Sequence, residues 1–347
     1  MPGPGLAAIR STQAGLLSRL LLWSILVLAP LACRDEQAET PDWATSENSL
    51  TPLERPGQET LPPPRKPPRT EDGGHKLRFV GYNLKNFLTM TRWQDGEQVQ
   101  RSKPAGEVAA VIKIITASRP DVIGLSEIGN HADLERLQSS LRDAGLDLPH
   151  SEHTGGADQT RHLALLSRFP IVARNSQSNL FFDLEGARTQ IRRGLLDATV
   201  EAHGKRFRFL GAHLKSKREI RDGDQELIRR NEAFLMRKHA DEILKADPAT
   251  LLVVYGDFND TRRSSPVRSI SGPGNSVRFL EALPLRDDRG EVWTHYWEYQ
   301  HIYSRFDYIL VSRALRPLVV DEETRIFDHL EWASASDHRA TLATFAW

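Results

Sequence analysis

The sequence has one cysteine, Cys33, among 347 residues, so it has no disulfide partner within the chain and cannot build a multi-cysteine metal cluster. Any metal must be held by oxygen or imidazole. Net charge is missing as well: Lys plus Arg and Asp plus Glu stand at 46 each. No whole-chain field therefore draws the protein to nucleic acid or to an anionic membrane surface. The apolar run Leu20 to Ala32 is too short for a bilayer-spanning helix, which needs ~20 residues. No internal repeat divides the chain. What is present is an apolar fraction of 39 %, enough for a substantial core in one large domain or two ordinary ones.

Arg10 and Arg19 precede the apolar run, giving residues 1–33 the shape of a signal peptide. The stretch Leu28-Ala-Pro-Leu-Ala-Cys33 resembles a bacterial lipoprotein processing box, with small Ala32 before the residue to be lipidated. The expectation is export, either anchored to a membrane through lipidated Cys33 (periplasmic or at the cell surface) or secreted. Residues 34–74 turn polar and Pro-rich around Leu61-Pro-Pro-Pro-Arg-Lys-Pro-Pro-Arg69. Such a segment buries too little surface to offset chain entropy and reads as a disordered linker. The folded domain is then 75–347, expected as a monomer. The first 74 residues hold 7 basic and 9 acidic groups, which leaves it 39 against 37 and no strong basic field.

Within that domain, residues 77–83 alternate like a strand ending at Asn83, and 108–118 carry apolar residues at helical spacing before Arg119-Pro120. Residues 121–127 form an apolar strand ending on Glu127, and 132–144 a helix closed by Gly145. Strands follow over 162–167, 193–200 and 206–213, the last ending on His213. A long amphipathic helix spans 224–244. The run from Leu251 stops at Gly256-Asp-Phe-Asn259, and alternation places Asp257 and Asn259 on one face past the strand end. A Gly/Ser/Pro-rich loop is expected over 264–276, and late strands over 305–311 and 340–345.

Asn83, Glu127, His213, Asp257, Asn259, Asp307, Asp337 and His338 all lie at or beside strand ends. Parallel or mixed sheets gather such ends at one edge, where four carboxylates are costly unless a cation neutralises them. A hard divalent ion does so; Mg²⁺ suits scattered Asp, Glu and Asn, with Mn²⁺ or Ca²⁺ as alternatives. Zinc more often wants three closely spaced His or Cys. Each residue also has an ordinary reading: Asn83 or Asp307 capping a turn, His213 satisfied in the core, Asp337-His338 on a solvated loop.

Tyr82-Asn83, Leu125-Ser-Glu127, Ala212-His213, Gly256-Asp-Phe-Asn259, Phe306-Asp-Tyr308 and Ser336-Asp-His338 together resemble the ordered motifs of the endonuclease/exonuclease/phosphatase family, with its deoxyribonuclease I-like fold. The match covers roughly residues 77–346. The resemblance implies an α/β fold, a four-layered sandwich of two packed mixed β-sheets flanked by helices, and metal-dependent hydrolysis of a phosphoester. It further implies that Asn83, Glu127 and Asp337 hold the ion and that Asp257 and Asn259 position and deprotonate water. His338 would neutralise phosphorane charge or act as base, oriented by Asp307, and His213 would contact the phosphate. Arg193, through its forked donors, is a candidate phosphate clamp, and Arg161 and His162 precede a strand near the same site.

The substrate is less defined. Abasic-site endonucleases of the family place a tyrosine between the positions matching Glu127 and His213, and this chain has none between Tyr82 and Tyr255. Lys215, Lys217, Arg218 and Arg221 form a local basic cluster that either meets phosphates or is a solvated loop. No long aromatic hairpin announces membrane insertion, which weighs against a sphingomyelinase; aromatics do crowd into Val292 to Tyr303, where core or edge-strand packing is preferred over stacking of a base or ring at the pocket rim. Arg339-Ala340 stands where relatives often have proline, a change that touches no expected chemistry. The leading expectation is an exported nuclease-like phosphodiesterase acting on a phosphoester such as nucleic acid. The alternatives are an enzyme acting on a lipid headgroup or small phosphoester, as a sphingomyelinase does, and a catalytically silent module that binds phosphorylated ligands.

Overall fold

The computed structural model describes residues 74–94, 96–219 and 223–347. The leader, Cys33 and Arg221 lie outside the described residues, as does the linker except for Gly74. The first half of the domain runs β1 (Lys76–Phe87), a hairpin of β2 (Met90–Gln94) and β3 (Glu97–Arg101), α1 (Ala105–Ser118), β4 (Val122–Ile128), α2 (His131–Asp143), β5 (His150–Thr154) and β6 (His162–Ser167). The second runs β7 (Ile171–Arg174), a hairpin of β8 (Phe181–Leu184) and β9 (Ala187–Gln190), β10 (Leu196–Ala202), β11 (Lys205–His213), α3 (Gln225–Ala246) and β12 (Leu251–Asp257). Then come α4 (Ser265–Ser271), β13 (Leu280–Ala282), a hairpin of β14 (His295–Trp297) and β15 (Ile302–Ser304), and β16 (Asp307–Ser312). Finally β17 (Arg325–Ile326), α5 (Trp332–Ala335) and β18 (Thr341–Ala346) return to the first sheet.

Two six-stranded mixed sheets result, in the orders β17-β18-β1-β4-β6-β5 and β13-β16-β12-β11-β10-β7. Their strands are apolar on both faces because each sheet is covered twice. Phe79, Phe209, Val253 and Ile309 point into the space between the sheets, while their neighbours Val80, Leu210, Val254 and Leu310 point outward. The outward set of the first sheet meets α1 and α2, and that of the second meets α3 and α4. This is the expected four-layered sandwich.

Tyr255 fixes the close approach of the sheets. A Cβ on Gly124 would lie 2.0 Å from its ring and one on Gly211 2.6 Å away, so both positions require glycine.

Several expected boundaries move. The strand expected over 193–200 begins at Leu196, because Arg192 and Arg193 form a bend and Gly194 after it has φ 72°. The loop expected over 264–276 contains α4, whose Pro266 sits in the first turn, where a missing N–H costs nothing. Helix α1 starts a turn earlier than expected, directly after Pro104. No described helix is long and apolar enough to cross a membrane.

Candidate active site

Parallel pairing of β1 with β4 and of β11 with β12 brings four strand ends to one edge of the sandwich. Antiparallel β16 and β18 begin at that same edge, so Asp307 faces Asp257 in register and Ser336 to His338 lead into β18. The ends of both sheets then touch. Asn83 Nδ2 donates to Asp257 Oδ2 at 3.0 Å, and Ser336 Oγ donates to the carbonyl of Asn83 at 2.8 Å.

The backbone at these ends is unusual. Lys85, Asn86, Glu127 and Asn259 all have positive φ, between 47° and 60°, and the β1–β4 register shifts between Asn83 and Phe87. Such conformations cost free energy and persist where the surroundings over-determine them. Here the amide of Asn86 donates to Glu127 Oε2 at 2.9 Å, and Asn83 Nδ2 lies 3.4 Å from Oε1.

Three ionisable groups form the centre. His338 Nδ1 meets Asp307 Oδ2 at 2.8 Å, and its Nε2 lies 3.6 Å from Asp257 Oδ2. Burial opposes charge on the His338 ring, but Asp307, then Asp257, outweigh it and raise its pKa well above the ordinary value. For Asp257 burial dominates: the attraction of His338 is insufficient, and the carboxyl is pushed up to about 7. His213 Nε2 sits 3.6 Å from Asp257 and 3.8 Å from Glu127. Burial, then the positive charge of Arg193, holds the His213 ring well below its ordinary pKa, so it is a neutral imidazole.

Glu127, Asp257, Asp307 and Asp337 make an oxygen-rich donor set, and the buried Asn86 Oδ1 beside Glu127 accepts no hydrogen bond. That chemistry fits a hard divalent ion. Asp257, Asp307 and His338 also place three ligand atoms within 4.8 Å of one another. The raised His338 pKa opposes ligation by its ring, since a metal needs the neutral imidazole.

The family profile for endonucleases, exonucleases and phosphatases matches residues 82–338. The chain belongs to the endonuclease/exonuclease/phosphatase family. No curated protein sequence matches it. Among solved structures it resembles an endonuclease/exonuclease/phosphatase from Bacteroides vulgatus at 18% identity and TM-score 0.55, covering 78% of this chain and 98% of that one. Sphingomyelinase C from Streptomyces griseocarneus matches at 16% and 0.52, over 78% and 99%. The human Nocturnin catalytic domain with bound sulfate anion matches at 18% and 0.52, over 78% and 94%. At these identities the likenesses show a common fold. As a family member the chain is a divalent-metal-dependent enzyme that hydrolyses phosphoester bonds, which sets aside the silent binding module.

Direct contacts join Asn83, Glu127, His213, Asp257, Asp307 and His338 within this edge of the endonuclease/exonuclease/phosphatase fold. Asp337 stands beside them, its carboxylate raising the pKa of buried Tyr82 after burial itself has done so. Asn259 differs from the alternation argument. It lies past the strand with φ 50°, and its Nδ2 donates to the carbonyl of Leu214 at 3.0 Å. Arg193 is buried; its Nε is 3.4 Å from Asp158 Oδ2, outside hydrogen-bond geometry, and Nε and Nη1 lack partners. Arg161 reaches the same Asp158 oxygen and Glu127, each at 3.9 Å.

Among the described residues of the basic cluster after His213, Lys217 and Arg218 are exposed and Lys215 is not. Lys215 is buried with Nζ on the carbonyls of Ser216 and Arg218, and burial, then Arg193, brings its pKa down to about 8. Lys217 pairs with Asp260 at 3.0 Å. The preferred edge packing of the aromatics is also corrected in part: Trp297, Tyr299 and Tyr303 are 46%, 84% and 55% exposed on the β14–β15 hairpin beside Asp337. Arg339 has work of its own. Fully buried, it lies 3.9 Å over the Trp293 ring and pairs with Asp287 at 2.8 Å, fastening the hairpin's base.

His295 is a site residue that strand patterning does not reveal. It bridges to His338 from β14 with rings 4.7 Å apart. Burial, then the His338 charge, brings its pKa down to about 4, so it stays neutral against the charged ring.

Proposed function

We propose that this protein is an exported divalent-metal-dependent phosphodiesterase of the extracellular nuclease type. The observation that carries the phosphodiesterase reading is the buried Asp307–His338–Asp257 row, a cationic imidazole between two carboxylates beside Glu127. Ionised Asp257 accepts a proton from water, whose oxygen bonds to phosphorus as the bond to the leaving oxygen breaks. Cationic His338 offsets charge gathering on the phosphoryl oxygens, and neutral His213 donates a hydrogen bond to one of them. Asn259 holds the loop after His213 through Leu214, and Arg193 supplies charge from the other flank. A bound divalent ion, with Glu127, Asn83 and Asp337 as its proposed ligands and Mg²⁺ as the proposed metal, would polarise the phosphoryl oxygen.

The exposed aromatic hairpin supports a second reading, in which the substrate is a lipid headgroup phosphoester and the rings meet the lipid surface. The deciding experiment measures turnover of plasmid DNA, RNA, bis-p-nitrophenyl phosphate and sphingomyelin with Mg²⁺, Mn²⁺, Ca²⁺ or EDTA. Metal-dependent cleavage of nucleic acid above sphingomyelin supports the first reading, and the reverse order supports the second. No metal-dependent turnover of any of them removes both. Export rests on the leader pattern and Cys33. A diacylglyceryl group on Cys33 in mass spectra of the mature amino terminus supports anchoring, an unmodified start beyond it supports secretion, and an uncleaved Met1 start opposes export.

A further inference from the structure

Helix α3 carries Arg229 and Glu232 three residues apart, on one face, and that face meets the loops behind the site. Glu232 is fully buried and is not part of the catalytic row. Its Oε1 accepts the amide of Arg192 at 3.0 Å, and its Oε2 accepts the amide of Lys215 at 2.6 Å. One amide immediately precedes Arg193; the other lies two residues past His213. Arg229 holds the same loop from the other side, with Nη1 on the carbonyl of Lys215 at 3.1 Å and Nε on Asp260 Oδ2 at 3.0 Å, next to Asn259. Burial, the largest influence, raises the Glu232 pKa, and Arg193 and the two amides oppose it.

We propose that Glu232 is a positioning residue: its two oxygens set the distance between the Arg193 bend and the His213 strand end, and Arg229 extends that control to Asn259. The proposal rests on the phosphodiesterase reading of the site. A carboxylate can accept both amides, whereas Gln places an NH₂ against one of them and Asp is a methylene too short to span both.

The experiment compares full-length wild-type protein with Glu232→Gln, with Glu232→Asp as the second variant should Gln not fold. Ala240→Gly, about two turns along α3 among apolar neighbours, controls for a softened helix. Melting temperature, kcat and KM for bis-p-nitrophenyl phosphate, and the imidazole NMR signals of His213 are measured for each. The expected result is a folded Glu232 variant with kcat down about 10- to 100-fold, because sub-ångström misplacement of reacting groups is expensive. KM changes less, and the His213 signals move. Ala240→Gly keeps kcat and the His213 signals. Unmoved His213 signals with kcat within about twofold of wild type overturn the proposal, and so does an equal loss in Ala240→Gly. A wild type without turnover defeats the phosphodiesterase reading instead, and the His213 signals then decide this one alone.

Discussion

His338 Nδ1 lies 2.8 Å from Asp307 Oδ2, and this contact does most to keep the ring charged in a buried place that opposes charge. Because the His338 pKa is raised, its cationic form is present at low pH and is lost as pH rises through that elevated value. Asp307→Asn removes the largest upward influence, so the alkaline limb of the pH–rate profile moves to lower pH. Activity at pH 8 falls by about 10²- to 10³-fold. A profile whose alkaline limb coincides with that of wild type would show that Asp307 does not set this charge.

In the proposed mechanism Asp257 must be ionised to take a proton, yet burial holds its pKa at about 7. The acid limb of wild-type activity is therefore expected near neutrality, and Asp257→Asn loses about 10² or more in kcat. Stability moves the other way. The pKa is raised from 3.8, so the carboxyl's contribution to stability is fully present below 3.8 and is lost as pH rises through about 7. In EDTA, Asp257→Asn should melt roughly 3–8 °C above wild type at pH 8, with the difference shrinking toward pH 4. Melting curves at the two pH values check this, and a lower melting temperature at pH 8 contradicts it.

Glu127 receives the Asn86 amide at 2.9 Å and offers its carboxylate at the acid-rich side of the site. Glu127→Gln is expected to raise the Mg²⁺ or Mn²⁺ concentration for half-maximal activity by about 10- to 100-fold. EDTA should abolish wild-type turnover, and adding back the ion should restore it. Metal titrations of kcat check this; superimposable titrations of variant and wild type would remove Glu127 from the ion.

Gly124→Ala drives a methyl to within 2.0 Å of the Tyr255 ring between the sheets. A loss of about 1–3 kcal/mol in urea unfolding is expected, typical of an overpacked core. Tyr255→Phe in the same background tests the cause poorly, because the clash is with the ring, whereas Tyr255→Leu should recover part of the loss. An unaltered stability in Gly124→Ala would mean that the sheets part more easily than their packing implies.

Much of this was legible in sequence for a physical reason. Glu127, His213 and Asp257 each stand at or beside the end of an apolar run, and a strand doubly covered by helices and a second sheet has to be such a run; Asn83, expected to end its strand, instead lies inside β1, which continues to buried Phe87. What escaped lacks a local signature. Strand β5, His-Ser-Glu-His-Thr, has no apolar alternation to announce it. Arg229 and Glu232 look like ordinary charges on a helix, and only the loops that settle on them make them internal. His295 joins the site through the landing of a hairpin, and Asn259 leaves the strand's face through a left-handed turn, neither of which periodicity records.

The bond from Ser336 Oγ to the Asn83 carbonyl ties together residues 253 positions apart, and β18 pairs along β1 beside it. Loop closure on that scale makes for high contact order and slow folding. During synthesis, the segment bearing His338 emerges only after nearly all of the sandwich. Catalytic competence is thus acquired in a last step, and a chain still being made carries no working hydrolase.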